Sequence, residues 1–261
     1  MKLLVKLGGT LLDESASRTR LSGELAALQR SGHELVVVHG GGKQMTRFLS
    51  ERGVESRFVE GLRVSTPEVI DAVLKVFAGA VNHELVASLV AAGTQAVGLS
   101  GIDAALVESE QISEELGAVG RIVRSNTVLL DVLISNGYLP VVACVGGDRK
   151  GRIFNVNADQ MAVGVAAGFG VDRLIFLTDV DGVRGAGGEI LPRLDAVECD
   201  ALIRDGVATG GMQAKLNAAT LALRQGVRQV VIAPGATPNA VRRILDGEAL
   251  GTRIVPASAA A

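Results

Sequence analysis

Leu3-Leu4-Val5-Lys6-Leu7-Gly8-Gly9-Thr10 sets one lysine inside an apolar, strand-like run that breaks at two consecutive glycines. An unpaired ammonium among buried leucines carries a heavy desolvation penalty, so an anion is expected to meet Lys6. Gly8 and Gly9 are expected to turn the chain with positive φ and to bring bare N–H groups close to a ligand, as phosphate-cradling turns require. Strand, lysine and glycine turn together suggest an oxyanion site. The same residues also suit an edge strand with Lys6 in solvent and an ordinary Gly-Gly turn, so the rest of the chain has to decide.

With 261 residues, 48% of them hydrophobic, the chain can bury a large core as one sizeable domain or two tightly joined lobes. A formal net charge of −2, no Trp and a single Tyr argue against nucleic-acid binding by stacking or by a basic face. Cys144 and Cys199 form no CxxC pair, and His33, His39 and His83 lack metal-ligand spacing, which points to reduced thiols, no structural zinc and a cytoplasmic address. The N-terminus does not follow the order of a signal peptide, and no apolar stretch is both long enough and free of charge to span a bilayer, so no membrane partner is expected.

Strand-like and helix-like patterns alternate throughout, the signature of a parallel sheet covered by helices on both faces. Leu21, Leu25 and Leu28 fall at helical spacing before Ser31-Gly32. Leu35-Val36-Val37-Val38 reads as a buried central strand that ends in His39-Gly40-Gly41-Gly42-Lys43, ahead of a helix from Gln44 to Arg52. A second strand thus ends at a glycine turn before a helix N-terminus able to hold an anion. Neither a Walker A loop nor GxGxxG fits these residues.

Residues 58–65 alternate around Gly61 and suggest a small hairpin carrying Arg63, whose planar fork matches a carboxylate. Thr66-Pro67-Glu68 starts a helix that runs to about Ala92, long enough for a subunit interface. The stretch Leu106 to Val123 reads as a surface hairpin, and Leu139 to Val145 as a buried strand ending in Gly146-Gly147. In Asn155-Val156-Asn157-Ala158-Asp159-Gln160, Asn157 suits a helix cap and Asp159 suits a first turn, whereas capping leaves Asn155 unexplained. Thr178-Asp179-Val180-Asp181-Gly182-Val183 follows a strand directly, and Val207-Ala208-Thr209 leads into a long helix. Lys215 then lies near that helix's N-terminus, a second misplaced cation that calls for an anion.

Five blocks in order, Lys6-Leu7-Gly8-Gly9, His39-Gly40-Gly41-Gly42, Gly61-Leu62-Arg63-Val64, Asn155 to Gln160, and Gly211-Met212 with Lys215, resemble the amino acid kinase superfamily. Within it they resemble the branch that phosphorylates N-acetyl-L-glutamate in microbial arginine biosynthesis. The resemblance implies an α/β fold, a three-layer αβα sandwich around a mostly parallel sheet. Residues 1–170 would form a lobe for acetylglutamate binding and dimerisation, and residues 171–261 a lobe for ATP. Lys6 and Lys215 would stabilise the transferring phosphoryl group, with Asp159 holding them in place. Gly41, Gly42, Arg63 and Asn155 would bind acetylglutamate. Thr178, Asp179, Val180, Asp181, Gly182 and Val183, with Val207, Ala208 and Thr209, would form the nucleotide loops, and Gly8 and Gly9 would donate to γ-phosphoryl oxygens. Mg²⁺ would arrive with ATP, held largely by phosphates and water rather than by protein side chains.

The resemblance has departures and rivals. Gly101-Ile102-Asp103-Ala104-Ala105 stands where many relatives write Gly-Lys-Asp-Gly-Gly. The chain starts at its first strand without the extra N-terminal helix of arginine-inhibited hexameric relatives, so the resemblance implies a plain homodimer insensitive to arginine. It leaves open a nitrogen-signalling protein as partner. The rival readings are a kinase for a carrier-protein-linked aminoadipate or glutamate and a non-catalytic ligand sensor on the same fold. Loss of Lys6, Lys215 or Asp159 would mark the sensor, and all three are present.

Overall fold

The apolar run around Lys6 forms β1 (Lys2–Leu7), buried from Leu3 onward, and the chain then makes one 3-10 turn before α1 (Ser15–Arg30). This computed structural model describes residues 1–257. β2 (Glu34–His39) leads into α2 (Gly42–Ser50), and a hairpin of β3 (Phe58–Val59) and β4 (Leu62–Arg63) follows. One long helical run then comprises α3 (Pro67–Val73), a π-wound segment (Leu74–Val81) and α4 (Asn82–Ala91). β5 (Gln95–Ser100), β6 (Val107–Gln111), β7 (Val119–Ser125), α5 (Val128–Ser135), β8 (Tyr138–Ala143), β9 (Val145–Gly147) and β10 (Ile153–Val156) precede α6 (Ala158–Phe169). The last third supplies β11 (Arg173–Thr178), β12 (Arg193–Asp195), α7 (Ala196–Arg204), α8 (Gly210–Arg224), β13 (Gln229–Pro234), α9 (Ala240–Leu245) and β14 (Thr252–Val255).

Eight strands make one sheet in the order β12-β14-β13-β11-β1-β2-β8-β5, parallel throughout except where β13 meets β14. Helices cover both faces, which is why the central strands read as continuous apolar runs rather than alternating ones. β1 pairs with β2 on one side and with β11 on the other. The chain after β1 therefore fills one half of the sheet first and the other half later. The crevice above such a reversal is where open α/β sheets bind ligands. The segments 1–170 and 171–261 share this sheet through the β1–β11 pairing, and residues 258–261 of the second lie outside the described residues.

Two expectations about the strands need correction. Residues 106–123 do form an antiparallel hairpin, β6 with β7, but these strands close with β9 and β10 into a small barrel that buries Val107, Ser109 and Val119. The buried run 139–145 is two strands rather than one, because it leaves the main sheet at Cys144 and enters the barrel as β9. A Cβ on Gly146 would meet the Val156 side chain at 3.0 Å, so packing inside the barrel requires glycine there.

Among the described residues, the helical run Pro67–Ala91 is long and apolar enough to cross a membrane by length and composition, with a mean hydropathy of 1.4 in its best window. It nevertheless carries Asp71, Lys75 and Glu84, and it seats Val69, Val73, Phe77, Leu85 and Leu89 in the protein core. Its start follows the capping expectation: Pro67 occupies the first position and the Thr66 hydroxyl accepts from the Val69 N–H at 3.4 Å.

Candidate active site

β1, β2 and β11 end level with one another, Leu7 pairing with both His39 and Leu177. The turns that follow, Gly8-Gly9, Gly40 to Gly42 and the start of the 178–183 loop, consequently leave the same edge of the sheet. Gly8 and Gly9 do not have the expected positive φ, and Gly8 is extended at φ −64°. Close approach is what demands glycine here. A Cβ on Gly8 would lie 3.2 Å from the Leu177 carbonyl oxygen, and one on Gly9 would lie 3.1 Å from the Gly42 nitrogen. The Gly8 N–H already donates to Leu177 O at 2.9 Å. Gly9 opens the 3-10 turn, where leading N–H groups have no partner inside the helix, so it is the better donor to a ligand.

The two misplaced lysines converge. Lys6 Nζ lies 2.7 Å from Asp159 Oδ1, an ion pair by distance with the ammonium off the line of a hydrogen bond. Lys215 Nζ donates to Asp159 Oδ2 at 3.2 Å. Lys6 and Asp159 are each only 7% exposed, so solvent screens their charges little. Asp159 is placed by the start of α6, where the Asn157 side chain accepts from the Asp159 N–H at 2.9 Å and the Gln160 N–H at 3.2 Å. Burial pushes the Asp159 carboxyl up, but Lys6 and Lys215 more than offset it and hold the group below its ordinary value of 3.8. One carboxylate thus holds two cations, leaving one net positive charge for an incoming anion.

Above this triad opens a cavity of about 720 Å³ whose walls include Lys6, Gly8, Gly9, Lys215, Thr178 and Asp179. A second recess of about 190 Å³ joins it through Gly42, Phe58 and Arg63, and is also lined by Gly41 and Asn155. Arg63 sits on β4 of the hairpin, whose two-residue turn has positive φ at both Glu60 (50°) and Gly61 (79°). Its guanidinium donates to Thr46 Oγ1 at 2.8 Å and Gly42 O at 3.3 Å, reaches Ser56, and lies 4.6 Å over the Phe58 ring. Asn155, in β10, donates to Ser65 Oγ at 3.0 Å. Asn155 and Arg63 therefore flank the recess, each held by the segment around the hairpin.

The other nucleotide-loop residues are placed differently. Val183 and Ala208 belong to the buried core, and Gly182 packs close to Thr252, so these three offer backbone rather than side-chain contacts. Val180 and Val207 are exposed apolar side chains, Asp181 pairs with Arg184 at 3.7 Å, and Thr209 begins α8 without a side-chain cap.

The structure adds residues to the site. Gln44 donates to Gly9 O at 3.3 Å, Thr46 supports Arg63, and Cys144 forms part of the recess wall. Cys144 is a free thiol pushed up to about 12 by burial, a neutral wall group at ordinary pH. Thr46 has a sequence signal, standing one helical turn after Gly42; Cys144 has none, because only the break between β8 and β9 turns it inward.

Glycine turns and paired lysines that meet over one buried aspartate suit the handling of a phosphoryl group, and the amino acid kinase family model matches residues 1–234: the chain belongs to that family. It is 66% identical over 257 residues to an acetylglutamate kinase of Solibacter usitatus, covering 98% of this chain and 100% of the relative. It is 38% identical over 258 residues to an acetylglutamate kinase of Koribacter versatilis, covering 98% and 99% of the two chains. Within the family, its place is with the acetylglutamate kinases.

Solved structures share the fold. The N-acetylglutamate synthase of Neisseria gonorrhoeae complexed with coenzyme A and N-acetyl-glutamate superposes with a TM-score of 0.89 at 25% identity; this chain spans 60% of that longer chain, and the match covers 99% of this one. Carbamate kinase from Giardia lamblia bound to AMP-PNP gives 0.74 at 17% identity, covering 98% of each chain, a likeness of fold alone.

Proposed function

We propose that the protein transfers the γ-phosphoryl group of ATP to the side-chain carboxylate of N-acetyl-L-glutamate, giving N-acetyl-L-glutamyl 5-phosphate and ADP. The observation that carries this reading is the convergence of Lys6 and Lys215 on Asp159 beneath the cavity. A side-chain carboxylate with an ordinary pKa near about 4.3 is already ionised at neutral pH, so no general base is needed. The difficulty is bringing one anion to another, and the remedy is positioning with neutralisation of charge. A lysine roughly 4 Å from a phosphoryl oxygen gains on the order of 4 kcal/mol of Coulomb attraction at an effective dielectric of about 20, before desolvation is subtracted.

In this reading Gly9 and the Gly41-Gly42 backbone offer N–H groups to the reactants, Arg63 meets a substrate carboxylate, and Asn155 orients the amide end. The 178–183 and 207–209 loops receive the nucleotide, with residues 1–170 as the acceptor lobe and 171–261 as the nucleotide lobe. Mg²⁺ would travel with ATP. Among the described residues no three or more His, Cys, Asp or Glu side chains are grouped so as to hold a metal ion, and Asp179 is the one carboxylate lining the main cavity, its Oδ1 accepting from the Thr178 hydroxyl at 3.0 Å. Such a lining fits an ion ligated mainly by phosphate and water, with Asp179 as the protein group nearest in kind. We expect a cytoplasmic homodimer formed through the open edge of β5.

The test is turnover of free N-acetyl-L-glutamate with MgATP, the acyl phosphate being trapped as hydroxamate. Product with the free substrate is expected. No product with it, but product with a carrier-protein-linked glutamate or aminoadipate, would replace this reading by its sibling.

A further inference from the structure

His39 closes β2 and is wholly buried, although the chemistry above gives it no task. Its Nδ1 lies 2.9 Å from the carbonyl oxygen of Gly40. Its Nε2 lies 2.9 Å from Nδ2 of Asn82, which also donates to the Val141 carbonyl at 3.0 Å. Asn82 Nδ2 can only donate, so Nε2 must be the accepting nitrogen and the proton must be on Nδ1. The Gly40 carbonyl is then held by an N–H donor. Because a peptide group is planar and trans, anchoring the Gly40 oxygen points the Gly41 N–H in the opposite direction. The Gly41 nitrogen lies 3.3 Å from the position a Cβ on Gly9 would occupy, and Gly41 lines the recess.

The same long helix also supports the other side of this peptide. A Cβ on Gly41 would meet Phe77 Cδ1 at 2.9 Å and Val81 Cγ2 at 3.3 Å, both in the π-wound segment immediately before Asn82. π-Winding is rare and gathers at functional sites. Here it brings Phe77, Val81 and Asn82 together under one glycine turn.

We propose that His39, fixed as its Nδ1–H tautomer by Asn82, is a positioning residue that aims the Gly41 N–H at the acceptor substrate. The proposal rests on the reading that the Gly41-Gly42 backbone binds that substrate. The two ring nitrogens can be separated by substitution, since an asparagine amide can replace Nδ1 as donor to Gly40, whereas a glutamine amide reaches toward the Nε2 position. His39→Gln is expected to raise KM for N-acetyl-L-glutamate about tenfold or more, the cost of one lost hydrogen bond with a misdirected donor, while KM for ATP stays within about twofold. His39→Asn is expected to recover most of that loss.

Equal damage from the two variants, or damage shared between acceptor and nucleotide, would show His39 to be core packing and overturn the proposal. Nitrogen-15 NMR of the imidazole in the unsubstituted enzyme needs no variant to fold. It is expected to show a protonated Nδ1 and a bare Nε2 at neutral pH, and the opposite tautomer would equally overturn the proposal. If free N-acetyl-L-glutamate is not turned over at all, the functional reading fails, whereas the tautomer measurement still judges the positioning of Gly40.

Discussion

Asp159 sits between two ammonium groups, and its substitution separates electrostatic from structural roles. Asp159→Asn leaves Lys6 and Lys215 without their counter-charge in a site that screens poorly, and is expected to cost on the order of 3 kcal/mol of stability at neutral pH. The carboxyl is held below 3.8 when folded, so its contribution is fully present above that pH and disappears as pH falls through the lower folded value. Thermal melts of the two proteins should therefore differ most near neutrality and converge in acid. ATP should recover part of the deficit, because its phosphates replace the missing anion and a ligand stabilises the state that binds it. A gap that persisted unchanged into strong acid would mean that Asp159 acts by packing rather than by charge.

Among the elements, the turn after β5 shows strain. Ala104 and Ala105 have φ of 50° and 52°, a left-handed region that costs an L-residue with a Cβ and costs glycine nothing extra. Two consecutive alanines therefore hold a backbone that glycine would adopt without strain. Ala104→Gly and Ala105→Gly are each expected to stabilise the protein by about 0.5–1 kcal/mol, read as a higher midpoint in urea at unchanged slope. Asp103 remains the anchor: its carboxylate accepts from the Ser100 N–H at 2.6 Å and the Ser100 hydroxyl at 2.8 Å. Unchanged midpoints would show that Asp103 alone governs the turn.

For the whole molecule, the main question is what covers β5. Among the described residues it ends the eight-stranded sheet with a free edge; Val90 on α4, which packs against β5, and Val128 and Val132 on α5, which packs against the neighbouring β8, are each more than half exposed. Val128 and Val132 are four residues apart and share one helix face. Open sheet edges flanked by apolar side chains favour pairing with another chain. The protein is expected to sediment as a dimer, and Val128→Asp with Val132→Asp together should yield monomers that keep the fold by circular dichroism. A wild-type monomer at micromolar concentration, or a dimer indifferent to both substitutions, would place the interface elsewhere.

The sequence by itself determined the sheet, because continuous β-branched runs between amphipathic segments leave few other ways to bury so much apolar surface. It also marked Lys6 and Lys215 as cations in the wrong places, a local electrostatic oddity visible without coordinates. It could not reveal that one carboxylate answers both lysines, since their meeting depends on how β1, α6 and α8 pack. Nor could it give the reason for Gly8 and Gly9: the expected left-handed turn is absent, and the constraint is a neighbouring strand and a second glycine turn brought within contact. The division of residues 139–147 between sheet and barrel, and the inward face of Cys144, were likewise decided only by tertiary structure. A run of buried apolar residues specifies that it will be covered, but not by which partners.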